Sequence, residues 1–118
     1  ARIMISEYTY AKLRGTYRTR EVDRVVVQGK TEPVSIHEVL DYHDAESFPN
    51  MTDVLGNFRD GLAAYREMQW ADARDCFQRG TSLNPQDKPC KIYIDRCNHL
   101  EANPPGDSWD GVWVMTSK

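Results

Sequence analysis

At 118 residues with 40 % hydrophobic content, the chain has apolar material for one modest domain or two small ones and does not read as disordered. Fifteen Lys and Arg against 18 Asp and Glu give a net charge of −3 and a pI near 5.6, and the absence of a basic stripe argues against a nucleic-acid partner. A mean hydropathy of −0.68, with no apolar stretch near the ~18 residues a span requires, excludes a membrane segment within these residues.

The chain opens on Arg2-Ile3-Met4-Ile5, which reads as the end of a strand, with no initiating Met or signal peptide. The expectation is a start inside a larger protein. Ser6 is a suitable N-cap with Glu7 in the first turn, so Tyr8 to Leu13 form a short helix that Gly15 stops. Strands follow at about residues 17–28 and 33–42. Val25, Val26 and Val27 make a β-branched run, Gln28-Gly29-Lys30-Thr31 supplies a glycine for the tight turn, and Val34 and Ile36 resume the strand. Pro33 then belongs at the start of an edge strand. The turn has two readings. It is a solvated hairpin end, or it is a rigid platform whose lysine and outward backbone N–H groups neutralise phosphate oxygens.

The block as a whole resembles the C-terminal end of a class III nucleotide cyclase catalytic domain. Ile3-Met4-Ile5-Ser6-Glu7-Tyr8-Thr9-Tyr10 is followed by the hairpin from Thr19 through Val34, matching that family's order of strand, helix start, and a Thr-Arg-Glu-Leu-Asp hairpin with a Lys-Gly-Lys turn. Val22 stands in the family's leucine position, and Gln28 replaces the first lysine of the turn. The resemblance covers about the first 42 residues. It implies a bacterial-type adenylate cyclase that makes cyclic AMP from ATP with magnesium or manganese, as a homodimer through the catalytic domain; the odd number of cysteines, all in the second half, does not read as a disulfide framework and points separately to the cytoplasm. The resemblance also implies that Lys30 and Gln28 are the phosphate-binding residues of this fragment. The family's metal-binding aspartates, and its asparagine and arginine for ribose and phosphate, lie on motifs that this chain lacks. The fragment alone is therefore expected to be inactive, with no catalytic or metal-binding residue and no cofactor of its own. Asp23 and Asp41 are better read as solvated charges of the hairpin and strand end than as metal ligands. His37 and His43 have no nucleophile or orienting carboxylate at a diagnostic spacing, and His37 reads as a strand-surface residue.

Residues 43–53 are polar and aperiodic and read as a linker; Asn50-Met51-Thr52 within them formally matches a glycosylation acceptor. The first 44 residues are charge-neutral, so the excess of acid lies beyond. From there the period becomes helical. Leu55, Phe58, Leu62 and Tyr65, extended by Met68, mark one helix; Trp70, Ala73, Phe77 and Gly80 mark a second, ending before Pro85. Asp87 caps a third, with Pro89 in its first turn and Cys90, Tyr93, Ile94, Cys97 and Leu100 along its face, and Asn103-Pro104-Pro105-Gly106 stops it. The aromatic stripe has the period of a core rather than of a stacking platform. Cys76, Cys90 and Cys97 read as buried or partly buried thiols, and Cys90, Cys97 and His99 lack the paired spacings of a metal site.

Tyr65, Trp70, Ala73, Phe77 and Pro85 resemble a single tetratricopeptide repeat. One copy does not build a peptide groove, which implies a structural or dimer-supporting role. The closing Ser108-Trp109-Asp110-Gly111-Val112-Trp113-Val114-Met115 carries two tryptophans and is expected to dock as an extended strand or loop. The resulting fold class is α+β: a partial cyclase sheet of strand, helix and hairpin over 1–42, a linker over 43–53, and a small three-helix tetratricopeptide-like region with an aromatic tail over 54–118. The alternative function is a tetratricopeptide-like protein-interaction module without catalysis.

Overall fold

The computed structural model describes residues 3–13, 15 and 17–115. The fold is α+β. Its elements run β1 (Ile3–Ser6), α1 (Glu7–Leu13), β2 (Thr19–Val27), β3 (Val34–Val39), α2 (Met51–Arg66), α3 (Trp70–Leu83), α4 (Lys88–Ala102) and β4 (Trp113–Met115). They form two compact units: a sheet unit, Ala1–His43 with Val112–Lys118, and a helical unit, Asp44–Gly111. The helical unit is thus inserted between the third and fourth strands.

In the sheet unit the strand order is β1-β3-β2-β4. β1 and β2 each pair antiparallel with β3, and β4 lies parallel to β2 with Val25 opposite Trp113 and Val27 opposite Met115. The expected hairpin is present, but β3 is an inner strand. Pro33 therefore precedes it in the loop, where its missing N–H interrupts no ladder, rather than opening an edge strand. The register slips between Glu21 and Asp23, leaving Val22 as the extra residue of a β-bulge. Because of that slip the buried positions of β2 are Arg20, Val22 and Val25; strict alternation would have turned Arg24 inward instead of Val25. Val27, the last residue of the strand, is 46 % exposed although it belongs to the valine run.

Ser6 caps α1 as its position predicts: its Oγ accepts the Thr9 N–H at 3.3 Å, and Gly15 leaves the helix region at φ 78°. Glu7 accepts the Ser35 N–H at 2.8 Å, and the Tyr10 ring stacks on His37 with centroids 4.2 Å apart. The helix is thereby fixed to β3.

The helical unit is built around rings. Phe58 meets Phe77 and Tyr93 edge-on, Phe77 stacks on Tyr93, and Tyr65 meets Tyr93, Trp70 and Trp109 edge-on. Two glycines permit this packing. A Cβ on Gly61 would stand 2.8 Å from the Phe77 ring, and one on Gly80 would stand 2.6 Å from Cys90 Sγ. Two stripe positions differ from the sequence expectation. Val54, fully buried, takes the core place assigned to Leu55, because α2 begins at Met51 and its buried face runs Val54, Phe58, Gly61, Leu62, Tyr65. Met68 lies past the helix at φ 60°, in the turn between α2 and α3. Cys90 and Cys97 are buried and Cys76 is half-buried, all as free thiols. Asn50, at φ 57°, donates its side-chain amide to the Leu83 carbonyl at 2.9 Å, which ties the start of α2 to the end of α3.

Candidate functional site: the hairpin turn

The turn is built by one hydrogen bond and one glycine. Lys30 N–H donates to the Val27 carbonyl at 2.9 Å, and Gly29 sits at φ 90° in the third position, the conformation of a type II turn, which disfavours residues with a Cβ. Gln28 and Lys30 are both exposed, two residues apart on the same turn, so their side-chain amide and ammonium groups can reach one polyanion. The backbone contributes less than the sequence suggested. Lys30 N–H is committed to the turn, and Gln28 N–H donates to the Met115 carbonyl of β4 at 2.8 Å. Neither is an outward donor, so the chemistry of the turn rests on side chains.

The loop is held at a second point. Tyr8 on α1 donates its hydroxyl to Glu32 Oε1 at 3.1 Å, and that hydrogen bond, followed by the acceptor's negative charge, raises the Tyr8 pKa. Glu32 on one side of the turn and Gln28 on the other are thus fastened to different elements. Lys30 projects between these anchors in the sequence.

Sequence reasoning missed a second cluster. Arg20 Nε and Nη2 donate to Glu38 Oε1 at 3.1 and 2.9 Å, with side chains 7 % and 1 % exposed, and His43 Nε2 lies 3.8 Å from Glu38 Oε2. The only available signal was that Arg20 and Glu38 fall opposite each other once the hairpin register is known. No substrate atom can reach a carboxylate so enclosed, so the cluster supports the sheet and does no chemistry. His37 is a half-buried strand residue covered by Tyr10.

The carboxylates are committed to the backbone. Asp41 accepts the Arg18 N–H at 2.6 Å and Asp23 accepts the Arg24 N–H at 2.9 Å. Among the described residues there is no group of three or more His, Cys, Asp or Glu that could hold a metal ion. None of the described helices is long and apolar enough to cross a membrane. In the helical unit an open groove of about 460 Å³ is lined by Asn57, Asp75, Gln78, Arg79, Ser82 and Leu83. Its one cation is already engaged: Arg79 donates to Asn57 Oδ1 at 3.1 Å and to Cys76 Sγ at 3.3 Å.

Over 101 residues the chain is 35 % identical to the Dictyostelium discoideum protein named "Adenylate cyclase, terminal-differentiation specific". The aligned stretch takes in 82 % of this chain and 5 % of that protein, so the chain spans about a twentieth of that relative's length. It is longer than either structural unit and therefore includes residues of both. The chain is thus related to an adenylate cyclase. No family profile matches it, and no solved structure does.

Proposed function

We propose that this chain closes the catalytic region of a class III adenylate cyclase, in which the Gln28-Gly29-Lys30 turn forms one wall of the ATP site. The observation that carries the reading is the 35 % identity to a protein named adenylate cyclase, over a stretch that runs through both units. The reaction joins the ribose 3′ oxygen to the α-phosphorus and releases pyrophosphate, so negative charge moves onto the leaving phosphate oxygens. Lys30 supplies a compact positive charge to those oxygens, and the Gln28 amide adds a neutral hydrogen bond. Both act where charge develops, which lowers the barrier more than it strengthens ground-state binding.

On this reading the 3′ proton is taken, and the magnesium or manganese the reaction uses is held, by residues outside the chain, and the site is completed by homodimerisation of the catalytic region. The helical unit, with its tetratricopeptide-like pair α2 and α3, has a structural or dimer-supporting role.

The test is cyclic AMP formation from ATP by the full-length protein. Lys30→Ala is expected to lower kcat/KM about tenfold or more, the size of a lost charge-assisted hydrogen bond. Gln28→Lys is expected to raise affinity for ATP. Residues 1–118 alone are expected to form no cyclic AMP. A full-length protein without cyclase activity, or a Lys30→Ala variant as active as the wild type, would overturn the reading.

A further inference from the structure

The loop that carries the candidate phosphate turn holds two opposite charges, Lys30 and Glu32, both exposed and two residues apart. Extended chain spans at most about 3.5 Å per residue, so their Cα atoms stand no more than about 7 Å apart and their side chains are within reach of each other. They are not paired. Among the described residues Lys30 makes no ion pair, and Glu32 instead accepts the Tyr8 hydroxyl of α1 at 3.1 Å. A carboxylate left to pair with Lys30 would cancel the charge that attracts a phosphate; one held by another donor leaves the ammonium open.

We infer that Tyr8 is a positioning residue of the turn: its hydroxyl holds the Glu32 carboxylate and so keeps it from pairing with Lys30, which stays open to a phosphate oxygen. The role at the site depends on the reading of Lys30 as a phosphate contact given above. Tyr8 suits it because α1 is itself fixed. Ser6 caps the helix, Glu7 accepts the Ser35 N–H of β3 at 2.8 Å, and the Tyr10 ring stacks on His37. Tyr8 also remains a donor across the neutral range, since its bond to Glu32, and then the charges of Glu32 and Glu7, raise its pKa above the ordinary phenol value. Tyr8 is 55 % exposed, so removing its hydroxyl disturbs the fold little and changes chiefly which partner Glu32 takes.

A carbodiimide joins a carboxylate to an amine only where the two meet. With this reagent on the 118-residue chain, an amide between Lys30 and Glu32, read by peptide mass, is expected to form about threefold faster in Tyr8→Phe than in the wild type. Full-length protein then reads the consequence. Tyr8→Phe is expected to lower kcat/KM for ATP about threefold, the effect in water of one negative charge brought within about 7 Å. Glu32→Gln keeps an acceptor oxygen for Tyr8 and loses the charge, so Tyr8→Phe added to it is expected to cost nothing further.

A wild-type rate of cross-linking in Tyr8→Phe would overturn the inference. So would a loss of the same size from Tyr8→Phe in the Glu32→Gln background, which marks a tether of the loop rather than control of a charge. If Lys30→Ala lowers kcat/KM and Tyr8→Phe does not, the phosphate reading stands and Tyr8 has no part in it. If Lys30→Ala has no effect, the phosphate reading fails, and the cross-linking rate still decides whether Tyr8 keeps Glu32 from Lys30.

Discussion

Single atoms decide how closely the helices approach. Gly61 faces the Phe77 ring so directly that an added methyl would stand 2.8 Å from it, and Phe77 is itself fully buried and packed on Phe58 and Tyr93. The ring has no free direction in which to yield. Gly61→Ala is expected to destabilise the chain by about 1–3 kcal/mol despite its better helix propensity, which is worth only about 1 kcal/mol. A urea midpoint at or above the wild-type value would refute this. Burial acts similarly on Cys97, pushing its thiol up to about 11. An acid whose folded pKa is raised contributes stability that is complete below its unfolded pKa and is lost as pH rises toward the folded value. The loss for Cys97 therefore falls between about pH 9 and 11 and amounts to about 3 kcal/mol at most. Melting temperatures across that window are expected to fall more steeply for the wild type than for Cys97→Ala, because the variant lacks the titrating group. Parallel slopes would show that Cys97 does not ionise on unfolding.

At the scale of elements, the sheet depends on a buried ion pair that replaces apolar packing between β2 and β3. Arg20 and Glu38 are cross-strand neighbours with side chains 7 % and 1 % exposed, so removing either leaves the other a buried charge without its ion-pair partner across the strands. Arg20→Met alone is expected to cost about 3–5 kcal/mol, and Arg20→Met with Glu38→Leu to recover most of it. Thermal melts of the two variants check this, and a double variant no more stable than the single one would mean that the pair is needed for the register itself. The pair also shows where sequence reasoning stops. Helices α2, α3 and α4 were legible because Phe58, Leu62, Phe77, Tyr93 and Cys97 repeat at three-and-four spacing, a local signal. The α1 cap was equally local, carried by Ser6. Register is not local. The bulge at Val22 shifts every later residue of β2 by one face, and no feature of the residue itself announces it. The turn was legible from Gly29, but the loss of Gln28 N–H to Met115 was not, since the two lie at opposite ends of the chain.

For the whole molecule, the order of elements makes the two units unequal in autonomy. The ring contacts among Phe58, Tyr65, Trp70, Phe77, Tyr93 and Trp109 join residues that lie between Asp44 and Gly111. So does the Asn50 to Leu83 bond that closes the α2 and α3 pair. The helical unit is continuous in sequence and is built of consecutive packed helices, which favours independent folding. The sheet unit is discontinuous. Its β2 edge is completed by a strand that follows the entire helical insertion, and its core holds the Arg20 and Glu38 charges in place of larger apolar side chains. Residues 44–111 expressed alone are expected to keep their helix content and to melt in one cooperative transition, read by circular dichroism. Residues 1–43 alone, without β4, are expected to show no cooperative transition, because a three-stranded remnant with a buried ion pair has too little apolar burial to offset chain entropy. A cooperative melt from 1–43 would show that β4 adds nothing to the sheet's stability, and a non-cooperative 44–111 would show that the ring cluster needs the sheet to form.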